Sequence, residues 1–390
     1  MSLSTVDDEG ERMVVKRTLT AVELFAGIGG FRIACDSLGI KTIWANDMKV
    51  NACGVYRNRF GDKELHEGDI KLLKSEIPEN FDILTAGFPC QPFSSAGKKQ
   101  GVFDTRGTLF RDICEVVNEK RPKAFVLENV KRILGMQKGE TFKTILTELG
   151  KLDYQIEWRI INARSFGLAQ NRERILIVGI RNDVLTDQQI LHTEPVQDYA
   201  SLSTTKTSNL KSHKNAFSFW GRINGTEVIE QKLKSGVADF GDSLLKDFLQ
   251  KPSEVPARFD FTESTIKRLG GDTNVTRDKF VHGVEILSNQ EGGRRMGYTI
   301  FGENGIAPTL TATTSRIYER YKIGNKYRIL TNIEYGRLQG FADNHCQFHT
   351  DVEGVITELT PYEQYPLYGN AVPPDLVKWG IEIAMRHILN

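Results

Sequence analysis

The chain has 390 residues and a formal net charge of +1, with 51 basic and 50 acidic side chains. Hydrophobic residues make up 39% and charged residues 26%, ordinary values for a globular protein, and the length predicts two domains. No apolar run approaches ~18 residues, so no membrane span is expected. Residues 1–17 fit neither a secretory signal nor a transit peptide. The five cysteines form no CxxC pair, so we expect their thiols to be reduced, as in a cytosol.

Near-neutrality argues against a strongly basic nucleic-acid-binding protein, but the charge is unevenly spread along the chain. Residues 1–194 hold 28 basic and 27 acidic side chains, residues 195–330 hold 20 and 15, and residues 331–390 hold 3 and 8. The middle segment alone is basic. Since phosphates respond to local charge rather than to the sum over a chain, nucleic acid stays open as a partner.

Short apolar runs alternate with amphipathic stretches up to about residue 185. The runs lie at 21–25, 42–45, 82–86, 124–127 and 174–179, and the helix candidates lie at 31–38, 50–59, 108–119 and 141–150. Strands that alternate with helices predict a doubly wound, mostly parallel α/β sheet of the Rossmann type. From 195 to 310, polar tracts and glycine turns are typical of a smaller, loop-rich domain. An amphipathic helix at about 374–388 is expected to pack back on the first domain.

The first predicted strand ends in Phe25-Ala-Gly-Ile-Gly-Gly-Phe31, where glycines would let a ligand approach the backbone. Arg32 stands where a dinucleotide-binding loop needs a small residue, which disfavours NAD and leaves a nucleoside cofactor without a pyrophosphate. Asp47 ends the second strand and is placed to accept hydrogen bonds from ribose hydroxyls. Asp69 offers a carboxylate to an adenine amino group. An ordinary strand-to-helix turn is the alternative.

A candidate nucleophile lies in the motif Gly87-Phe-Pro-Cys-Gln-Pro-Phe-Ser94. Cys90 follows an apolar run and stands between two prolines, unlike a structural cysteine within such a run, and no histidine is near it in sequence. Glu128 ends the next strand at the same rim and would act as an acid or hydrogen-bond partner, or simply cap a helix. Arg172 and Arg174 point to one side of an extended chain and would meet a phosphate or a carbonyl, or lie at a solvated strand edge.

Seven motifs together resemble the DNA (cytosine-5)-methyltransferases. They are Phe25-Ala-Gly-Ile-Gly-Gly-Phe31, Gly87-Phe-Pro-Cys-Gln-Pro-Phe-Ser94, Arg106-Gly-Thr-Leu-Phe110, Glu128-Asn-Val130, Gln170-Asn-Arg-Glu-Arg174, Arg337-Leu-Gln-Gly-Phe341 and Gly369-Asn-Ala-Val372. They extend over residues 21–372 in the family's order and approximate spacing. One such motif would arise by chance, but seven in order would not.

The resemblance implies transfer of a methyl group from S-adenosylmethionine to C5 of a cytosine flipped out of a specific short duplex DNA sequence, with S-adenosylhomocysteine as product. Cys90 would attack C6 and make C5 nucleophilic, while Glu128 would bond to N3 and the exocyclic amino group. Arg174, and with it Arg172, would hold the base carbonyl or help to position Cys90. No metal is expected.

Carried over residue by residue, the resemblance implies fourteen cofactor-binding positions. They are Phe25, Gly27, Ile28, Gly29, Gly30, Asp47, Met48, Asp69, Ile70, Gly87, Pro89, Leu109, Asn370 and Ala371. Met48 stands where the family often has a bulky aromatic, and Ala371 where serine is frequent. We therefore expect a changed pocket shape and the loss of one polar contact.

The resemblance implies a catalytic domain of the S-adenosylmethionine-dependent methyltransferase fold at 1–192, completed by 369–390. A target-recognition domain would lie at 193–325, the basic segment, and a hinge and return segment at 326–368. Gly305-Ile-Ala-Pro-Thr-Leu-Thr311 resembles the closing segment of the recognition domain, whose Thr-Leu pair faces the DNA. The expected DNA contacts are Ser94, Lys98 and Lys99 in a lid loop, the candidate readers Arg294 and Arg295, and Thr309. An ordinary surface loop and solvated charges are the alternatives.

We interpret the chain as a bacterial restriction–modification enzyme of the cytosol, active at the nucleoid on double-stranded DNA and expected to act as a monomer. A cognate restriction endonuclease would act on the same site without direct contact. The alternatives are an RNA cytosine-5 methyltransferase of the same architecture and a catalytically silent DNA-binding protein. A recognition segment of more than ~100 residues favours DNA over RNA, and the intact Cys90, Glu128 and Arg174 favour an enzyme.

Overall fold

The structure is a computed structural model that describes residues 4–6, 12–14, 17–89, 109–186, 190–191, 204–211, 217–231, 243–268, 280–289, 299–312 and 319–389. Its first twelve strands are β1 (Ser4–Val6), β2 (Arg12–Val14), β3 (Thr20–Leu24), β4 (Lys41–Asp47), β5 (Leu65–Glu67), β6 (Ile83–Gly87), β7 (Ala124–Val130), β8 (Tyr154–Asn162), β9 (Glu173–Arg181), β10 (Thr204–Lys206), β11 (Trp220–Asn224) and β12 (Glu227–Gln231). β1 and β2 pair with each other.

The other ten of these strands form one sheet in the order β10-β12-β11-β8-β9-β7-β6-β3-β4-β5. Neighbours from β7 to β5 are parallel, whereas β9 runs antiparallel to both β7 and β8. β11 is antiparallel to β8 and β12, and β10 is antiparallel to β12. Seven of these ten described strands therefore point the same way. This confirms the predicted mostly parallel α/β fold.

Helices cover both faces of the sheet because successive strand residues point to opposite sides. The helices are α1 (Gly30–Ser37), α2 (Val50–Phe60), α3 (Ile70–Leu73), α4 (Leu109–Lys120), α5 (Glu140–Leu149), α6 (Glu263–Arg268), α7 (Asn332–Leu338), α8 (Pro361–Asn370) and α9 (Pro374–Leu389). Leu127 packs in the core with α4 and α5, and its neighbour Val126 packs in the core with α1 and α9. The helices predicted at 31–38, 50–59, 108–119, 141–150 and 374–388 lie within one residue of α1, α2, α4, α5 and α9.

The sheet extends farther than the sequence predicted. β8 was not predicted, because Glu157 and Arg159 in its middle are charged. In the structure both are buried, and Glu157 Oε2 accepts hydrogen bonds from the Leu191 main chain at 2.7 Å and from Trp220 Nε1 at 3.3 Å. β10, β11 and β12 also fall inside the range 193–325 expected for a separate recognition domain, yet they continue the large sheet through β8.

A second sheet of five described strands begins in the remaining part of that range, and its last strand lies at the start of the predicted hinge segment 326–368. Its strands are β13 (Phe280–Val281), β14 (Val284–Asn289), β15 (Thr299–Phe301), β16 (Arg320–Ile323) and β17 (Lys326–Arg328), in that order. Side chains of this sheet share a core with α7 and α8. A small hairpin, β18 (Phe348–Thr350) and β19 (Ile356–Glu358), packs on α2. Among the described helices, none is long and apolar enough to cross a membrane.

Candidate active site

A cavity of about 490 Å³ opens at the carboxyl ends of the parallel strands. Phe25 directly after β3, Asp47 at the end of β4, Gly87 at the end of β6 and Glu128 near the end of β7 all line it. This is the edge at which doubly wound sheets bind their ligands. The end of α8 closes the cavity through Asn370 and its neighbours.

Asp47 is fixed at one part of this cavity by two main-chain hydrogen bonds. Its Oδ2 accepts from the amide of Gly27 at 2.9 Å, and its Oδ1 accepts from the amide of Lys49 at 2.8 Å. The residue is 8% exposed. A carboxylate has about four lone-pair positions, so two remain for hydroxyl groups of a ligand. Among the described residues, the nearest atom to a Cβ built on Gly27 is the Phe25 carbonyl oxygen at 4.0 Å, which leaves space for a ligand beside this glycine.

Two other glycines of the same loop serve packing. A Cβ on Gly29, where φ is +85°, would lie 2.3 Å from the ring of Phe60, and a Cβ on Gly30 would lie 2.2 Å from the carbonyl oxygen of Val372. These contacts leave room only for hydrogen at the two glycines, and they hold the loop against α2 and against the chain between α8 and α9.

Glu128 and Arg174 form a buried ion pair in the cavity lining. Arg174 Nε lies 2.9 Å from Glu128 Oε1, and Arg174 also donates to the carbonyl oxygen of Glu173 at 2.8 Å. Burial raises the pKa of the Glu128 carboxyl, while the positive charge of Arg174 acts in the opposite direction. The pKa of Arg174 is lowered, chiefly by burial. The site therefore combines a carboxyl group that burial drives towards its protonated form with a fixed hydrogen-bond donor.

Arg172 was predicted beside Arg174, but its guanidinium is directed to main-chain carbonyl groups. It donates to Leu310 at 2.9 Å, to Gly369 at 3.0 Å and to Ala371 at 2.9 Å. Burial, and after it the like charge of Arg174, lowers the pKa of Arg172 to about 9, so the group stays charged at neutral pH.

The family model for C-5 cytosine-specific DNA methylases matches residues 19–383. The chain belongs to this methylase family. The match confirms the family predicted from the seven motifs and identifies the chain as a DNA cytosine-5 methyltransferase.

Curated relatives of this methylase include two bacterial enzymes. Type II methyltransferase M1.ScrFI of Lactococcus lactis subsp. cremoris is 51% identical over 363 residues, which cover 90% of this chain and 74% of that protein. Type II methyltransferase M.HpaII of Haemophilus parainfluenzae is 36% identical over 345 residues, covering 80% and 92%. The crystal structure of S. pombe Dnmt2 methyltransferase has a TM-score of 0.58 with 17% identity and covers 95% of this chain and 99% of that chain. That structure shows a shared fold.

Ten of the fourteen predicted cofactor residues of the methylase line the cavity: Phe25, Gly27, Ile28, Asp47, Met48, Gly87, Pro89, Leu109, Asn370 and Ala371. Gly29 and Gly30 lie in the packing contacts described above. Asp69 caps α3 by accepting from the amide of Lys71 at 3.0 Å, and Ile70 is buried. These four residues are not part of the described cavity lining.

Seven other residues of the lining were not predicted to have a cofactor or catalytic role: Lys49, Ala52, Phe88, Asn129, Val130, Leu367 and Gly369. Asn129 has a clear local task, because its Nδ2 donates to the Phe88 carbonyl at 2.9 Å and its Oδ1 accepts from the Val130 amide at 2.8 Å. It thus ties the end of β7 to the chain just before Pro89. Its place inside the motif Glu128-Asn-Val130 was the signal that pointed to it.

The remaining predicted residues divide into two groups. Cys90, Ser94, Lys98, Lys99, Arg294 and Arg295 lie outside the described residues. Thr309 is described, and its hydroxyl donates to the carbonyl of Asn171. No cluster of metal-binding side chains occurs in the part of the chain that the structure describes.

Proposed function

We propose that this methylase transfers a methyl group from S-adenosylmethionine to C5 of a cytosine within a specific short duplex DNA sequence. One observation carries the proposal: the Asp47 carboxylate and the buried Glu128–Arg174 pair line the same cavity. This arrangement supports a carboxylate for the cofactor and an acid for the target base within one space. Because the two relatives above are named type II methyltransferases, we further propose a protective role in a bacterial restriction–modification system.

The chemistry of the cavity lining suits S-adenosylmethionine. Asp47 offers free lone pairs to ribose hydroxyls, and Phe25, Ile28 and Leu109 offer apolar surface to the rest of a nucleoside. Met48 is 60% exposed at the cavity and would pack against the adenine with its flexible side chain. When bound there, S-adenosylmethionine supplies an electrophilic methyl group and leaves as S-adenosylhomocysteine.

The chain's own residues would prepare the cytosine. Cys90 follows Pro89, a residue of the lining, by one peptide bond. Its thiolate would add to C6, so that electron density moves to C5. Glu128 in its protonated form would donate to N3 and accept from the exocyclic amino group, which stabilises the charge that develops on the ring. Arg174 would hold Glu128 in place and donate to the base carbonyl. After methylation, the C5 proton would pass to solvent, the electrons of that C–H bond would re-form the C5–C6 double bond, and Cys90 would leave C6 as thiolate.

DNA recognition is proposed for the basic middle segment. Strands β13 to β16 and the segment 305–311 lie within 193–325, and β17 follows directly after it. Thr311 packs on Gly369, a residue of the cavity lining. We propose that this region reads the target sequence, that Ser94, Lys98, Lys99, Arg294 and Arg295 contact DNA, and that the enzyme acts as a monomer at the bacterial nucleoid. A cognate endonuclease would then cut the same sequence independently when it is unmethylated.

The direct test uses the purified protein, S-adenosylmethionine labelled in its methyl group, and either unmethylated duplex DNA or RNA. After digestion to nucleosides, the label should appear in 5-methyldeoxycytidine, and Cys90→Ser should abolish it while DNA binding survives. Label in RNA 5-methylcytidine would establish the RNA alternative. Cofactor and DNA binding without any transfer would establish a silent DNA-binding protein.

A further inference from the structure

Two buried side chains hold both polar main-chain groups of Leu310. Gln170 Oε1 accepts from the Leu310 amide at 3.0 Å, and Arg172 donates to the Leu310 carbonyl at 2.9 Å. Gln170 is fully buried and Arg172 is 1% exposed. A parallel bridge between Gln170 and Ala307 adds main-chain hydrogen bonds to the same segment. The segment 307–312 is thus bound to the chain that enters β9.

The same guanidinium reaches the cofactor side of the site. Its second terminal nitrogen donates to the carbonyls of Gly369 and Ala371, which flank Asn370. All three residues of this turn, 369–371, line the cavity. Arg172 therefore joins two segments that lie about sixty residues apart in sequence. The segment 307–312 overlaps 305–311, which is proposed to read DNA, and the turn 369–371 contains the predicted cofactor residues Asn370 and Ala371.

The two segments touch without free space between them. A Cβ built on Gly369 would lie 2.4 Å from the carbonyl carbon of Thr311 and 2.5 Å from the nitrogen of Ala312. The hydroxyl of Tyr335 accepts from the Thr311 amide at 3.0 Å and donates to the Thr311 carbonyl at 2.9 Å. Because packed main chains cannot interpenetrate, a shift of the turn 369–371 must either move the segment 307–312 or strain the hydrogen bonds of Arg172.

We propose that Arg172 is a positioning residue that couples occupancy of the cofactor cavity to the order of the segment 307–312. A cofactor that orders the turn 369–371 favours the arrangement in which Arg172 and Gln170 hold Leu310, and so increases the affinity for DNA. By linkage, a DNA that orders 307–312 increases the affinity for the cofactor by the same factor. The inference rests on the proposed function, since it takes S-adenosylmethionine and its product as ligands of the cavity.

An arginine is required by the geometry. Its planar fork has terminal nitrogens that serve carbonyl groups in two directions, whereas a lysine offers one ammonium nitrogen on a flexible stem. Arg172→Lys keeps the positive charge and loses the simultaneous bonds. Arg337→Lys is a matched control: Arg337 also donates to two main-chain carbonyls, those of Phe248 and Leu249, but lies outside the cavity lining.

Hydrogen exchange of the full chain, with and without S-adenosylhomocysteine, tests the coupling without knowledge of the DNA target. In the wild type, the ligand should slow exchange both at the glycine loop 25–30 and at 307–312, the latter by about fivefold or more. In Arg172→Lys, slowing should persist at 25–30 and fall to near zero at 307–312. Arg337→Lys should behave as the wild type. Tyr335→Phe, which loosens Thr311 and leaves Arg172 intact, should also reduce the effect at 307–312 and carries the test if Arg172→Lys does not fold.

The outcomes separate this inference from the proposed function. Slowing at 25–30 alone in the wild type, or full slowing at both places in Arg172→Lys, would overturn the coupling and leave cofactor binding intact. If the ligand slows exchange at neither 25–30 nor 307–312 in the wild type, the proposed cofactor is refuted, and the coupling with it. A role of Arg172 confined to stability would raise exchange in the free and bound protein equally, which also contradicts the proposal.

Discussion

Arg174 Nε lies 2.9 Å from Glu128 Oε1, and less than a tenth of either side chain is exposed. β7 and β9 are antiparallel neighbours, with Glu128 opposite Leu176 and Arg174 opposite Val130, so the sheet register itself brings the two charges together. Burial alone would make Glu128 a weak acid that keeps its proton, and Arg174 limits that shift. A carboxyl group whose pKa is raised by burial suits a residue that is proposed to donate a proton to a substrate base.

Replacement of Glu128 by glutamine tests this pair. Glu128→Gln keeps the size of the side chain but cannot exchange a proton with the base, so we expect kcat to fall by about a hundredfold or more. The KM for S-adenosylmethionine should change little. Glu173→Gln is the control, since Glu173 pairs with Lys131 and does not line the cavity. Steady-state kinetics showing a kcat within threefold (about 0.6 kcal/mol) of the wild type would contradict the assigned role.

A second prediction concerns the cofactor. Asp47→Asn should weaken binding of S-adenosylhomocysteine by about tenfold to a hundredfold, because an amide nitrogen cannot accept from the Gly27 or Lys49 main chain. The kcat at saturating cofactor should be nearly unchanged. Isothermal titration calorimetry measures the affinity, with Asp36→Asn as control at an exposed ion pair with Arg32. Equal affinities of Asp47→Asn and the wild type for S-adenosylhomocysteine would show that Asp47 does not contribute to cofactor binding.

The packing role of Gly30 predicts a loss of stability. Gly30→Ala would place its Cβ 2.2 Å from the Val372 carbonyl oxygen, so we expect the free energy of unfolding to fall by about 2 kcal/mol or more. At Gly135, where a Cβ would meet no atom within 4 Å, the same substitution should be close to neutral. Urea unfolding compares the two variants, and equal stabilities would show that the contact between Gly30 and Val372 tolerates a methyl group.

His345 predicts a dependence of stability on pH. Its Nε2 donates to the Ile28 carbonyl at 2.7 Å, and burial, with the nearby charge of Arg59, lowers the pKa of His345 to about 4. Since this lies below the ordinary value of about 6.5, the unfolded chain binds the extra proton between these values. The contribution of neutral His345 to the free energy of unfolding is fully present above about pH 6.5, and it is lost as the pH falls through the folded-state pKa.

The loss in the free energy of unfolding that comes from His345 is on the order of 3 kcal/mol. In His345→Gln the amide can still donate to Ile28 but does not titrate. Urea unfolding at about pH 7 and about pH 4.5 should therefore show a smaller acid-induced loss of stability in the variant. An identical loss in both proteins would show that His345 is not responsible.

The strands, helices and glycine loop that form the cavity were predictable because their signals are local. Asp47 and Glu128 end strands, and parallel strands end at one edge. The partners of Arg172 were not predictable, since carbonyl groups of Leu310, Gly369 and Ala371 leave no side-chain pattern. Leu367 was missed for a similar reason: nothing in its local sequence shows that α8 ends above the cavity. The buried charges of β8 hid that strand because their partners, Leu191 and Trp220, lie tens of residues away.

The most direct test of the central claim is base-resolution methylation mapping of DNA from a host without cytosine methylation that expresses this chain. We predict that cytosines within one short sequence carry a C5 methyl group in cells with the wild type. Cells with Cys90→Ser should carry none. An unmodified genome in the presence of folded, cofactor-binding wild-type protein, or methylation that persists in Cys90→Ser, would contradict the account.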